Sequence, residues 1–264
     1  MPKVNKGKVI TITSMKGGVG KTIFTLALAT ALKKEDKKVL IVDLDLYNGN
    51  IAFSLNLNIK STIYNICDDV ANNRYKSDLL SEYIIKYDDN IDIISSPKDP
   101  RQASKIDGRY LDIMLRSFVN KYDVVLIDTN HILDVTNMIA FECSNTILDL
   151  FTNDAFDVKS TKNFVSICKN MKVDNLKLVL NNSSSDRKKY FNEYEMESLI
   201  KEEISYIVPR EFYIKNIDRY IVDGKILDVL EKLIKSNSNN QDSLCYFALS
   251  LLEDNRKGDN NEKE

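Results

Sequence analysis

A single doubly wound α/β domain, with a mainly parallel sheet covered by helices on both faces, is the fold class this sequence predicts. Three observations predict it. Short β-branched runs alternate with helical patterns from one end of the chain to the other. The strand-like runs are almost continuously Val, Ile and Leu, as strands buried on both faces must be. A glycine-rich turn joins the first strand to the first helix. At 264 residues, 43% hydrophobic and 29% charged, the chain is long enough for such a core and lies far from disordered or membrane compositions.

In order, KVITITS (8–14) reads as the first strand and TIFTLALATALKKE (22–35) as the first helix, closed by the charged break EDKK. KVLIVDLD (38–45) is a second buried strand. STIYNICDDV follows as a helix capped by Ser61 or Thr62, and KSDLLSEYIIKY (76–87) continues the helical spacing. IDIISS (91–96) is a strand ended by Pro97 and Pro100, RYLDIMLRSFVNK a helix, and YDVVLIDT (122–129) a strand. NTILDLF, LKLVLN and ISYIVP are further strands, separated by the helices DVKSTKNFVSICKNM and EYEMESLIKEE, with a last helical stretch from about Lys225. The domain is expected to fill residues 1–253, and the tail 254–264 has the composition of a disordered end.

Bulk properties exclude several function classes. A net charge of −2 argues against a surface made mainly for nucleic acid. Cys67, Cys143, Cys168 and Cys245 are scattered, with no C-x-x-C pair, so neither structural zinc nor an iron–sulfur cluster is expected. The N-terminal stretch lacks the apolar region of a signal peptide, and no apolar run approaches the roughly 18 residues needed to span a bilayer. A reduced cytoplasmic protein is expected.

The chemistry concentrates in SMKGGVGKT (14–22), at the strand-to-helix junction where an open parallel sheet presents ligands. Gly17, Gly18 and Gly20 let the backbone curl so that successive N–H groups face inward, with the helix dipole behind them. Val19 and Ile23 complete the cradle, Lys21 would reach the β- and γ-phosphates, and Thr22 would offer its hydroxyl to Mg²⁺. A magnesium–triphosphate also needs carboxylates near the metal and near the attacking water. Asp43 and Asp45 end the second strand two residues apart, on one face. Asp128 ends VVLID in the manner of a Walker B aspartate.

KGGVGKT with Lys16 in second position, followed by VDLD and LIDT, closely resembles the ParA/MinD family of deviant-Walker P-loop ATPases, over residues 8 to about 230. The resemblance implies ATP and Mg²⁺ as ligands and an ATP-driven homodimer, in which Lys16 is a signature lysine reaching the partner subunit's phosphates. It makes Lys16, Lys21 and Asp45 the catalytic set, with Asp45 acting on the hydrolytic water. Thr22, Asp43 and Asp128 become the magnesium side, Asn181 the base-recognising residue, and Pro209 part of the segment flanking adenine. The run DLDLYNGNIAFSLNLN resembles more narrowly the CpaE/TadZ branch, which implies a role in Flp-type pilus assembly, a protein partner, and recruitment to a pole or the inner membrane surface. Two departures stand out: no receiver-like domain precedes the loop, and the branch's DTPP reads DTNH here.

Other readings share these residues. A partition or division-site ATPase would carry the same catalytic set, a non-hydrolysing nucleotide-binding scaffold would keep the loop, and a reductase of the nitrogenase iron-protein type would add bridging cysteines. His131, Tyr47 and Phe53 near the site are expected to be incidental or local packing, and SSSDRKKYFNEYE a solvated loop. In DSLCYFALSLLED the apolar residues fall at i, i+3, i+4, i+7 and i+8. Asp242, Glu253 and Asp254 replace the basic face of a membrane-surface helix, so packing on the domain's own sheet is expected.

Overall fold

Alternation along each strand decides which layer a side chain joins, and the layers decide where the chemistry stands. The computed structural model describes residues 7–75, 81–183, 190–237 and 242–253. Eight strands form one sheet: β1 Lys8–Thr13, β2 Val39–Leu44, β3 Ile85–Lys86, β4 Ile91–Ile94, β5 Val124–Thr129, β6 Thr146–Phe151, β7 Leu176–Asn181 and β8 Ile204–Val208. Their order is β3-β4-β2-β5-β1-β6-β7-β8, parallel throughout except for the β3–β4 edge pair.

On one face lie α1 (Lys21–Lys34), α9 (Ile226–Ser236) and α10 (Leu244–Glu253), packed with Ile10, Ile12, Val39, Ile41, Leu126 and Leu148. Every residue of α1 from Phe24 to Leu32 is buried, because α9 and α10 cover the side that the sheet leaves open. The opposite face carries α3 (Ile63–Ala71), α4 (Gly108–Phe118) and α5 (Val135–Cys143) over Val9, Leu40, Val42, Val125 and Ile127. There α6 (Ala155–Asn170) and α7 (Glu193–Ile200) cover Ile147, Phe151, Leu178 and Leu180. Two short helices, α2 (Ile51–Ser54) and α8 (Ile217–Val222), pack together and join the core of the α1 face.

Three sequence expectations change. The helical spacing read over 76–87 is not an α-helix where it is described: residues 76–80 lie outside the described residues, Ser81 and Glu82 are in a 3₁₀ turn, and Ile85–Lys86 pairs antiparallel with β4. An edge strand needs only one neighbour, and Tyr83, whose hydroxyl donates to Asp69 at 2.6 Å, ties the preceding residues to α3. The helix α5 went unread because its buried positions, Asn137, Ala140 and Phe141, give no long apolar stripe; the Asp134 carboxylate caps it by accepting from Asn137 N at 2.9 Å. Finally, α10 packs chiefly on α1 rather than on the sheet. Leu244, Cys245, Phe247, Ala248 and Leu251 are buried there, and the Phe247 ring stacks on Tyr206 of β8 at 4.5 Å. Each fully buried side chain of that size contributes roughly 1.5–3 kcal/mol relative to exposure, so the stripe is already covered within the domain. Among the described residues no helix is long and apolar enough to cross a membrane.

Candidate functional site

The loop from Ser14 to Gly20 leaves the carboxyl end of central strand β1 and turns into α1, with β5 and β6 on either side. Gly20 caps the helix at φ 97°, in the left-handed region that a side chain rarely adopts. A Cβ there would also stand 2.8 Å from Asn181 Nδ2. The first turn of α1 holds no acidic residue, so its orphan N–H groups face the loop unopposed. Lys21 Nζ donates to Ser14 Oγ at 2.9 Å, and Ser14 Oγ donates to the Lys16 carbonyl at 2.8 Å, which closes the loop on itself. Burial lowers the Lys21 pKa, with Asp128 and Asp45 opposing that shift.

Strand parity delivers the carboxylates. Val39 and Ile41 of β2, and Val124 and Leu126 of β5, point to the α1 layer, so Asp43 and Asp128 follow them. The two are register partners on adjacent strands and are 0% and 2% exposed. Asp128 accepts from Thr22 Oγ1 at 2.8 Å and from Thr25 Oγ1 at 3.2 Å. Asp43 accepts from Ile51 N at 3.1 Å and Asp45 N at 3.3 Å. Burial, then the neighbouring Asp128, pushes Asp43 well above the usual carboxylate range. Burial likewise raises Asp128 to about 6, against hydrogen bonds from Thr22. Asp45 stands at the start of the next loop, half-buried, and accepts from Asn48 N at 3.2 Å.

Two adjoining buried carboxylates beside a threonine hydroxyl are an all-oxygen donor set in want of a cation. That fits Mg²⁺, which takes one or two carboxylates, keeps several waters and adds phosphate oxygens. Asp128 gives the fit a pH signature. Its native pKa lies above its unfolded value, so its contribution to stability is complete below about pH 4 and is lost as the pH rises to about 6. In Mg²⁺-free buffer the wild type is expected to lose up to about 3 kcal/mol relative to Asp128→Asn across that window. Urea denaturation of both proteins at pH 4, 5, 6 and 7 measures it, and parallel curves would refute the assignment.

Lys16 stands apart from Lys21. Its Nζ pairs with Asp154 Oδ1 at 2.9 Å, with side chains 38% and 28% exposed. Asp154 is also the N-cap of α6, accepting from Phe156 N and Asp157 N, each at 3.2 Å. The hydrogen bond from Lys16 holds its carboxyl below the usual range. Asp154→Ala is expected to cost about 1 kcal/mol through the lost cap, or about 2–4 °C in Tm. Asp154→Asn keeps a capping oxygen and should melt close to wild type while releasing Lys16; equal losses in both variants would show that the ion pair, not the cap, matters.

The remaining predicted residues divide. Val19 is buried and its carbonyl accepts from Asn181 Nδ2 at 2.8 Å, while Asn181 Oδ1 accepts from Ser183 Oγ at 2.6 Å. Asn181 therefore touches the phosphate loop in this state. It also lines, with Gly20, Ile23, Phe24, Val208, Phe212 and Tyr213, a mainly apolar cavity of about 180 Å³. Pro209 caps the short 3₁₀ turn Arg210–Phe212, between two of these lining residues. Gly17 and Gly18 are exposed at the loop tip, and the His131 ring stands 3.6 Å from where a Gly17 Cβ would be. Sequence reading missed Thr25, one turn beyond Thr22, and Asp154, whose place after an apolar strand marks a helix cap. It also missed Gly49: a Cβ there would meet Ser96 Oγ at 1.8 Å and Asp43 Oδ2 at 2.6 Å, so only glycine lets this loop close over the carboxylate. In the loop after Asp128, Asn137 Nδ2 donates to Asn130 Oδ1 at 2.9 Å and to the Ile132 carbonyl at 2.6 Å. These bonds supply rigidity where prolines were the expected residues.

Comparison with known proteins agrees with this geometry. The sequence model of a family described as AAA domain matches residues 7–182. An uncharacterized ATP-binding protein of Methanocaldococcus jannaschii is 29% identical over 86% of this chain and 89% of its own length. Among solved structures, a ParA family ATPase from Chlorobium tepidum superposes with TM-score 0.75 at 20% identity, over 93% of this chain and 98% of the other. The septum site-determining protein MinD from Pyrococcus horikoshii, solved with Mg-ADP, gives 0.72 at 22% identity, over 95% and 96%. At those identities the superpositions speak for the fold.

Proposed function

The chain belongs to the AAA-domain family, and on that premise we propose that it is a ParA/MinD-like P-loop ATPase, an ATP-driven dimerisation switch for intracellular positioning. The observation that carries the reading is the pairing of Asp43 with Asp128 in register beside Thr22 and Lys21, at the mouth of a glycine loop. Mg·ATP would lie with its phosphates on the N–H groups of Gly17 to Thr22, its metal by Thr22, Asp43 and Asp128, and its base in the cavity bordered by Asn181 and the Pro209 turn. Lys21 and Lys16 would stabilise charge developing on the transferred phosphoryl, and Asp45 would orient water. When bound, magnesium supplies the charge that neutralises the phosphate oxygens.

A second copy suits the face around the loop. Ile132, Val135 and Phe156 follow β5 and β6 and are 55%, 72% and 78% exposed, and Lys16 at the loop's rim is directed to Asp154 rather than to the loop's own phosphate cradle. Light scattering and phosphate release together test the switch. A dimer with Mg·ATP, a monomer with Mg·ADP and slow phosphate release are expected; a monomer with both nucleotides would refute it.

Within positioning roles, the DLDLYNGNIAFSLNLN stretch supports the pilus-assembly branch. A partition role would instead show as DNA binding by the ATP form that falls steeply with salt. The reductase reading loses support from the thiols. All four are free and carried by α3, α5, α6 and α10, and burial pushes Cys67 up to about 12 and Cys168 to about 11.

A further inference from the structure

Beneath the phosphate loop lies a second polar group that the ATPase chemistry leaves unused. Thr13, the last residue of β1, is the register partner of Asp149 in β6. Ile147 and Phe151, two residues to either side of Asp149, pack toward α6, so alternation turns Asp149 to that helix as well. Asp157 and Thr161 stand one turn apart on the buried face of α6. All four side chains are 0% exposed.

Their oxygens are largely without partners. Thr13 Oγ1, both oxygens of Asp149, Asp157 Oδ1 and Thr161 Oγ1 have no partner in good hydrogen-bond geometry, with the Thr161 hydroxyl near enough to Asp149 to act on its carboxyl, and they are five of the six such buried side-chain atoms among the described residues. The other Asp157 oxygen is anchored, accepting from Thr152 N and Thr152 Oγ1, each at 2.7 Å. Lys21 and Lys16 act on Asp149 and Asp157 only from a distance, since Lys16 pairs with Asp154 and Lys21 with Ser14. Native proteins satisfy buried polar atoms, and five orphans in one place call for a missing partner. Burial, then the proximity of Asp157, pushes Asp149 up to about 8, against the smaller opposing effects of the Thr161 hydroxyl and of Lys21.

We propose that Thr13, Asp149, Asp157 and Thr161 form an all-oxygen site for one desolvated alkali-metal cation, Na⁺ or K⁺, under the phosphate loop. Divalent ions fit less well. Mg²⁺ keeps several waters in a strict octahedron, which a sealed site does not provide, and Ca²⁺ takes six to eight oxygens where five are free, a number that among alkali ions suits Na⁺ better than the larger K⁺. An alkali ion exchanges its hydration shell for protein oxygens. Thr13 leads directly into Ser14, which receives the Lys21 ammonium, so the ion would fix the floor on which the loop closes.

The test needs neither nucleotide nor Mg²⁺, so its failure is separate from failure of the ATPase reading. The full chain is melted in EDTA with NaCl, KCl or tetramethylammonium chloride at equal ionic strength. An alkali salt tenfold above the dissociation constant should raise Tm by about 3–5 °C over the organic cation. Asp149→Asn should abolish that difference, and Thr161→Val, which removes one ligand at nearly constant volume, should reduce it if the asparagine variant fails to fold. Crystals soaked in Tl⁺ should show anomalous density between the four side chains. Equal melting in all three salts, or a water in place of the Tl⁺ peak, would overturn the proposal and leave Asp149 as a buried acid holding a proton.

Discussion

Lys16→Ala is expected to bind one Mg·ATP per chain as the wild type does, and to stay monomeric where the wild type dimerises. The basis is where Lys16 lies. Lys21 Nζ is drawn into the loop by Ser14, whereas Lys16 Nζ lies at the rim on Asp154, with more than a third of its side chain exposed. A cation so placed contributes little to its own cradle but stands open to an anion on another chain. Once it is desolvated between two subunits, truncating it leaves the opposing charge unpaired, at a cost of about 2–5 kcal/mol or roughly 30- to several-thousand-fold in the dimer dissociation constant. Light scattering against protein concentration reads the dimer, and a fluorescent ATP analogue reads the monomer site. A variant that dimerises as well as wild type would remove the role in trans, while one that loses ATP binding would move Lys16 into its own site.

Asp45→Ala is expected to slow turnover by about 10²-fold or more while the ATP-bound dimer persists. Unlike Asp43 and Asp128, Asp45 has left the strand and is only half-buried, accepting one backbone hydrogen bond from Asn48 N. It is therefore free to follow water rather than metal, and its removal should barely disturb the fold. Single-turnover phosphate release, with dimer lifetime followed in parallel, distinguishes the outcomes. Unchanged turnover would exclude Asp45, and lost ATP binding would make it a ligand of the ground state.

How much of this was legible in the sequence follows from the range of each interaction. The strands and α1 were readable because their patterns are local: β-branched runs, a glycine turn and apolar spacing all lie within a window of a dozen residues. Asp43 and Asp128 were readable as strand-end carboxylates, but their adjacency comes from a sheet order that inserts β5 between β2 and β1, which no local pattern contains. Asp154 and Gly49 act through partners 138 and 47 residues away, Lys16 and Ser96, and so stayed hidden. The edge strand β3 was misread because two paired residues are too few to impose a period of two. Asp149 was visible all along as a charge inside the apolar strand ILDLF, an inconsistency of the kind that marks function or strain.

The Lys16–Asp154 pair has a consequence for how the switch responds to ionic strength. In a dimer of the proposed kind Lys16 does not acquire a partner but exchanges one, giving up a carboxylate on its own chain for a phosphate on the other. Dissolved ions screen both contacts over a Debye length of about 8 Å at physiological salt, so salt weakens the tether that opposes association together with the contact that rewards it. The two effects offset each other. Association should therefore vary less steeply with salt than the charges on its interface suggest, and Asp154→Asn, by removing the tether alone, should make it steeper.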